Sequence, residues 1–305
     1  MIDKADGEAD DSLGGSDLWG FSNRRSKERI GMNASDFLCC RCRRSRSGFT
    51  LIELLVVIAI MIVLAGMLLP ALAKARMATQ SVACSSNLKQ LQACWVMYAD
   101  EHNDTLPPNN IRAVQWQGGC PEGYPSISGT WVLGNPCTDR NAWGIKNGVL
   151  FPYVQVAGPY HCPSDKSTLD RSRWTKRTRS YSASFYMNGN KSSWEPNVKS
   201  KACEIRQPAK VFVFLDEHEK TIDDGVFFVH TPGDTGEMSA GPHWMDLPSD
   251  RHNQGCSLSF ADGRVEHWSW KWPKRILSPG SDQDVANASD FEDLRRLQAA
   301  IPDVP

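Results

Sequence analysis

Ser47-Gly48-Phe49-Thr50-Leu51-Ile52-Glu53-Leu54 is the stretch on which the architecture turns. A basic segment with Arg41, Arg43, Arg44 and Arg46 precedes it, and residues 54–73 behind it carry no charge. A helix of that length is about 30 Å long, which matches the hydrocarbon core of a bilayer. Glu53 is the one acid at the head of this run, and a carboxylate in lipid needs a partner. If the chain is cut after Gly48, Glu53 lies close behind a new N-terminus. A freed ammonium on Phe49 of a neighbouring copy would then supply the partner. A cleavable secretory signal fits less well, because its apolar core is usually about 7–15 residues and cleavage follows that core.

The pattern resembles the processing site of type IV prepilins and of the pseudopilins of type II secretion. The resemblance implies cleavage between Gly48 and Phe49 by an inner-membrane prepilin peptidase, which then N-methylates Phe49. It assigns Glu53, together with Pro70 inside the apolar run, to assembly with other pilin-like subunits on an inner-membrane platform. The arginines of the leader would stay in the cytoplasm by the positive-inside bias. This places a single-pass chain in a bacterial inner membrane with its C-terminal domain extracytoplasmic. The expected role is structural, not enzymatic.

A second resemblance lies downstream, in Arg251-His252-Asn253-Gln254-Gly255-Cys256-Ser257-Leu258-Ser259-Phe260-Ala261-Asp262-Gly263. His252 followed, after nine intervening residues, by Asp262-Gly263 is similar to the signature of a prepilin-related bacterial family with large extracytoplasmic domains. Three more pieces look like the same family: Cys84-Ser85-Ser86-Asn87-Leu88-Lys89-Gln90, His161-Cys162-Pro163-Ser164-Asp165, and the segment from Pro208 to Asp216. No catalytic residues come with that resemblance.

The chain has 305 residues and a formal net charge of −1, so nothing in it favours nucleic acid. Residues 1–31 mix acids, bases, Gly and Ser and read as disordered. Met32 is an alternative start that would leave 1–31 untranslated and the leader short. Of 10 cysteines, Cys39, Cys40 and Cys42 fall in the leader and the rest in or near an oxidising compartment. Cys84 with Cys162 and Cys120 with Cys137 is one disulfide arrangement; buried free thiols are the other. Cys84 and Cys94 are too far apart along a helix to bridge each other.

The expected fold is α+β and pilin-like: a long N-terminal helix, its first half transmembrane, packed on an antiparallel sheet with a large irregular insertion. The expected divisions are a leader at 1–48, a membrane helix at 49–73 and an amphipathic continuation at 74–103. A β-rich extracytoplasmic domain at 104–277 and a peripheral tail at 278–305 follow. Met77, Cys84, Leu88, Leu91, Trp95 and Tyr98 form one apolar stripe at helical spacing, with Lys74, Arg76, Gln80, Lys89 and Gln92 on other faces. His102-Asn103-Asp104 ahead of Pro107-Pro108 stops the helix. The Gly-, Pro- and Trp-rich part at 106–158 reads as irregular, with brief strands near 129–133 and 149–154. Residues 180–187 alternate like a half-buried strand, 210–215 form an apolar run suited to a central strand, and Asp262-Gly263 predicts a hairpin with a type I′ turn.

Asp262 and Gly263 are explained as turn residues. His252 precedes the first hairpin strand and Asp216 ends the neighbouring run, so His252, Asp216 and Glu217 could converge at one sheet edge. No cofactor is expected except a structural calcium, which the pseudopilin resemblance raises. The metal candidates are Asp216, Asp223, Asp224 and His252, with Asp234 and Glu237 as further loop carboxylates. No zinc-hydrolase helix motif, P-loop or nucleophile elbow occurs. The second reading is a membrane-tethered module that binds carbohydrate or cargo through Trp116, Trp131 and Trp143.

Overall fold

The computed structural model describes residues 48–111, 126–169, 172, 174–190, 197–232, 242–276 and 283–304. Residues 1–47 of the leader, Trp116, Cys120, Asp234 and Glu237 lie outside the described residues. The chain divides into two units, Met1–Val56 and Val57–Pro305, with the boundary inside the first helix.

Helix α1 is Leu51–Glu101. Residues 51–79 are exposed, and full burial begins at Cys84. From there Leu88, Leu91, Gln92, Trp95 and Ala99 are buried at spacings of three and four, as expected of a helix that hides one face. Met77 is 49% exposed, so the apolar stripe begins at Cys84 and not before it. Gln92 belongs to the buried face rather than the polar one: it lies one turn beyond Leu88, and its Oε1 accepts from Ser259 Oγ at 2.8 Å. The helix stops at left-handed residues, Asn103 (φ 54°) and Asp104 (φ 66°), after which Asp104 N returns to Ala99 O at 2.9 Å.

Short helices α2 (Trp143–Lys146) and α3 (Phe151–Val154) lie in the insertion and a 3-10 turn at Gly158–Tyr160 ends it; a second 3-10 turn, Ala202–Glu204, lies between the first two strands. The segment near 149–154 is helical, not extended, because Pro152 sits in the first turn of α3, where a missing N–H costs nothing. Residues 129–133 form no strand; Trp131, Val132 and Leu133 are buried on irregular, bent backbone.

Strands β1 (Tyr181–Ser184), β2 (Phe212–Asp216), β3 (Val226–Phe227), β5 (Gly255–Phe260) and β6 (Val265–Ser269) form one sheet in the order β3-β1-β2-β5-β6. Strands β4 (His243–Trp244) and β7 (Gln283–Asp284) form a separate pair. The large sheet is mixed, not purely antiparallel, since β1 and β3 run parallel. The place beside β2 is taken by β5, so the chain leaving β2 crosses to the far side of β1. β1 is buried on both faces, not half-buried. The run at β2 is central and fully buried, as its composition predicts.

Ser257 and Ser259 of β5 face α1, bonding Ser85 Oγ at 3.0 Å and Gln92. Cys256 pairs across the ladder with Trp268, on which Arg296 of helix α4 (Ala288–Gln298) lies. Alternation along the strand therefore places α1 on one face and α4 on the other. The tail is consequently no periphery: Leu294, Leu297, Ala300 and Ile301 are core residues, and Phe212 N bonds Ala300 O at 2.9 Å. A register irregularity between Phe212 and Leu215 sets Phe212 opposite Phe260 on the α4 side while Asp216 reaches the α1 side.

The β5–β6 turn differs from the predicted type I′. Only Gly263 has positive φ (89°), and Gly263 N bonds Phe260 O at 2.9 Å. A type I turn followed by a left-handed glycine gives this pattern. Asp262 Oδ1 accepts from Arg264 N at 3.0 Å, which completes its turn role. Gly263→Ala is expected to cost about 1–2 kcal/mol, because a Cβ is disfavoured at that backbone angle; urea unfolding of both proteins measures it.

Candidate processing site and motif cluster

Gly48, Phe49 and Thr50 are exposed just ahead of α1. A Cβ added at Gly48 would meet nothing within 4 Å, so no packing demands a glycine there. Thr50 and Glu53 form a reciprocal cap at the helix start. Thr50 N and Oγ1 each donate to Glu53 Oε2 at 2.8 Å, and Glu53 N donates to Thr50 Oγ1 at 3.3 Å. This is a capping box, Thr-x-x-Glu, which satisfies N-terminal amides that a helix leaves unpaired. Sequence reasoning missed it although the spacing was legible. Glu53 is thus already hydrogen-bonded within its own chain. Pro70 lies inside α1. Among the described residues α1 is the one helix long and apolar enough to cross a membrane.

The four downstream motif pieces meet in space. Cys84 comes from α1, Cys162 from the loop after the 3-10 turn Gly158–Tyr160, Asp216 from the end of β2 and His252 from the turn before β5. All four are buried, and one sulfur, nitrogen or oxygen from each lies within 4.8 Å of the others. The antiparallel register Tyr181↔Asp216 sets these neighbours on one face, and Tyr181 Oη donates to Cys84 Sγ at 3.2 Å. Cys162 Sγ lies 3.1 Å from His252 Nε2. His252 is held by its own N–H to Gly255 O at 3.2 Å, across Asn253 and Gln254 in left-handed conformation (φ 56° and 55°).

Arg251 braces the cluster from behind. One of its Nη atoms bonds Asp216 Oδ1, and the other donates to Glu217 O at 2.8 Å and lies 3.6 Å from Asp165 Oδ2. Asp165 also accepts from Ser180 Oγ at 2.7 Å, and Ser180 Oγ accepts from Cys162 N at 3.2 Å. Burial pushes the Asp216 carboxyl up, against the pull of Arg251. The Cys162 thiol is raised, first by its hydrogen bond with Cys84 and then by burial. Burial works against charge on His252, but the Cys162 contact and Asp216 outweigh it and its net shift is upward.

Of the residues singled out from sequence, Asp216 and His252 converge, whereas Asp223 and Asp224 are not members of the cluster. Asp224 Oδ1 instead accepts from Val226 N at 2.5 Å. Glu217 faces away from His252, as the residue after Asp216 on an extended chain must, and burial holds its carboxyl well above the usual range. Cys84 and Cys162 stand together as free thiols, and Cys137 Sγ donates to Ile222 O at 3.1 Å. Trp131 is no sugar platform: it is buried, stacks on Tyr160 and donates from Nε1 to Gly225 O at 2.9 Å. Trp143 is exposed.

The family described as the prokaryotic N-terminal methylation motif matches residues 43–69. With the apolar helix behind it, that match supports a type IV pilin-like protein and is compatible with a single-pass inner-membrane anchor. No curated protein and no solved structure matches the chain.

Proposed function

We propose that the chain is a structural pilin-like subunit, cut between Gly48 and Phe49 and N-methylated on Phe49 by a prepilin peptidase. It would serve a type II secretion or type IV pilus-like assembly, with the apolar half of α1 packed among like helices and the β-rich domain extracytoplasmic. The observation that carries this reading is the continuity of the methylation motif at 43–69 with an apolar helix whose side chains are exposed along residues 51–79. Apolar side chains on a helix are buried in a folded chain, in lipid or in a neighbour. The same helix then changes character and buries a face in the sheet from Cys84 onward. Exposure of Gly48 and Phe49 suits a peptidase, which must reach the bond it cuts.

Mass spectrometry of the N-terminal peptide from the native host tests the reading. The expected species begins with N-methyl-Phe49. A mature protein in which Gly48 and Phe49 are still joined overturns it.

A further inference from the structure

The cluster of Cys84, Cys162, Asp216 and His252 has one atom that the fold leaves unanswered. Asp216 is fully buried, and its Oδ2 has no donor in hydrogen-bond geometry; the Ser249 hydroxyl, equally without a well-formed partner, is near enough to favour the charged carboxylate but does not satisfy that oxygen. A bare carboxylate oxygen in a protein interior is costly unless a donor or a cation meets it. Arg251 binds the other oxygen, Oδ1, and so fixes the carboxylate with Oδ2 turned to the cluster. From there Oδ2 lies 3.8 Å from His252 Nε2, too far for a hydrogen bond. It is close to the spacing of two ligands on one tetrahedral ion. Metal–ligand bonds of about 2.0–2.3 Å put ligand atoms about 3.3–3.8 Å apart.

The geometry points to a four-coordinate zinc site formed by Cys84 Sγ, Cys162 Sγ, His252 Nε2 and Asp216 Oδ2. Two sulfurs and an imidazole select a thiolate-binding ion over calcium or magnesium, which take oxygen ligands. The charges are also largely met. Two thiolates and the Asp216 carboxylate face a dication and the Arg251 guanidinium, which Asp165 also shares, so the dication offsets most of the negative charge buried there. On binding, each thiol loses its proton to solvent and His252 binds as the neutral imidazole. Tyr181 Oη, which already donates to Cys84 Sγ, stabilises that sulfur as thiolate. With all four positions supplied by protein, no place remains for a reactive water, so the ion is structural. It ties α1 to the loop at Cys162, the central strand β2 and the turn before β5, through one residue of each downstream motif piece.

The competing fate of two adjacent cysteines outside the cytoplasm is a disulfide, which would consume both sulfurs. The full chain, purified in detergent without chelators, separates the two. Expected are one zinc per chain by elemental analysis and Cys84 and Cys162 alkylated as thiols once the metal is removed. Cobalt in place of zinc should give a sulfur-to-metal charge-transfer band and the visible bands of tetrahedral coordination. Tyr181→Phe should weaken metal affinity by about 10-fold or more, and Asp216→Asn should weaken it further. Cys203→Ser, at an exposed cysteine outside the cluster, should leave it unchanged. A Cys84–Cys162 disulfide in non-reducing peptide maps overturns the proposal. So does a folded wild-type chain that holds no metal and gives no cobalt band, a result that does not depend on any variant folding.

Discussion

Glu53→Leu is expected to insert into the membrane as the parent chain does, while its recovery in sheared filaments falls to background. In the monomer Glu53 closes the capping box with Thr50. After cleavage at Gly48 the same carboxylate would lie beside a charged amine on Phe49 of a neighbour, in a medium where neither ion has another partner. Those two roles separate by substitution. Glu53→Gln keeps an acceptor for Thr50 N–H, as Gln serves in capping boxes, but removes the charge. If ion pairing is what assembly requires, Gln fails as Leu does. If only the helix start matters, Gln assembles and Leu does not. Normal recovery of both variants in filaments removes Glu53 from the account of assembly.

Lys274→Ala is expected to cost about 3–5 kcal/mol, the usual effect of removing one partner of a buried ion pair. Lys274 is 2% exposed, with Nζ 2.7 Å from Asp290 Oδ1 and 2.8 Å from Asp293 Oδ2. Its ammonium also lies 4.8 Å from the Trp244 ring centre. Asp290 and Asp293 have further work. Asp290 Oδ2 accepts from Ala286 N at 2.9 Å, and Asp293 accepts from Lys271 N and Trp272 N, each at 3.0 Å. Without the lysine, two carboxylates share an interior site with no counter-charge from it. The loss would be a large part of a typical domain stability of about 5–15 kcal/mol. Urea unfolding of the variant measures it. A shift below about 1 kcal/mol would show that solvent reaches the site. Lys274→Met combined with Asp290→Asn and Asp293→Asn should recover most of the loss, because it leaves no isolated charge.

The parts of this molecule legible from sequence are those written locally. The processing octet is contiguous, the α1 stripe from Cys84 to Tyr98 has helical period, and the apolar run of β2 and the Asp262-Gly263 hairpin announce themselves within a few residues. What escaped depends on partners distant in the chain. Phe151-Pro152-Tyr153-Val154 is apolar enough for a strand, and only the placement of Pro152 in a first turn marks it as helix. The tail reads as a weak amphipathic pattern because much of its polar side is buried too, with Asp290 and Asp293 occupied by Lys274. Gln92 looked like surface until Ser259 met it. The motif cluster is the clearest case. Each piece contributes one residue of ligand type, separated from the next by tens of positions, so no short spacing betrays a common site. Asp216 and His252 could be brought together on paper from strand pairing, but Cys84 required knowing which turn of α1 crosses the sheet.

The two rims of the main sheet bear on how copies of this chain can join. At one rim β3 is two residues long, and the next amide, Phe228 N, is already taken by Asp246 Oδ2 at 2.7 Å. At the other, β6 turns Glu266, His267 and Ser269 outward or part-way outward, and Arg264 bonds Glu266 there. Short, polar borders of this kind discourage another backbone from annealing alongside. Polymerisation by strand donation, with one chain completing the sheet of the next, is therefore disfavoured at the described borders of this sheet. Under the proposed function, cohesion between copies rests on the greasy stretch of α1 and not on these borders.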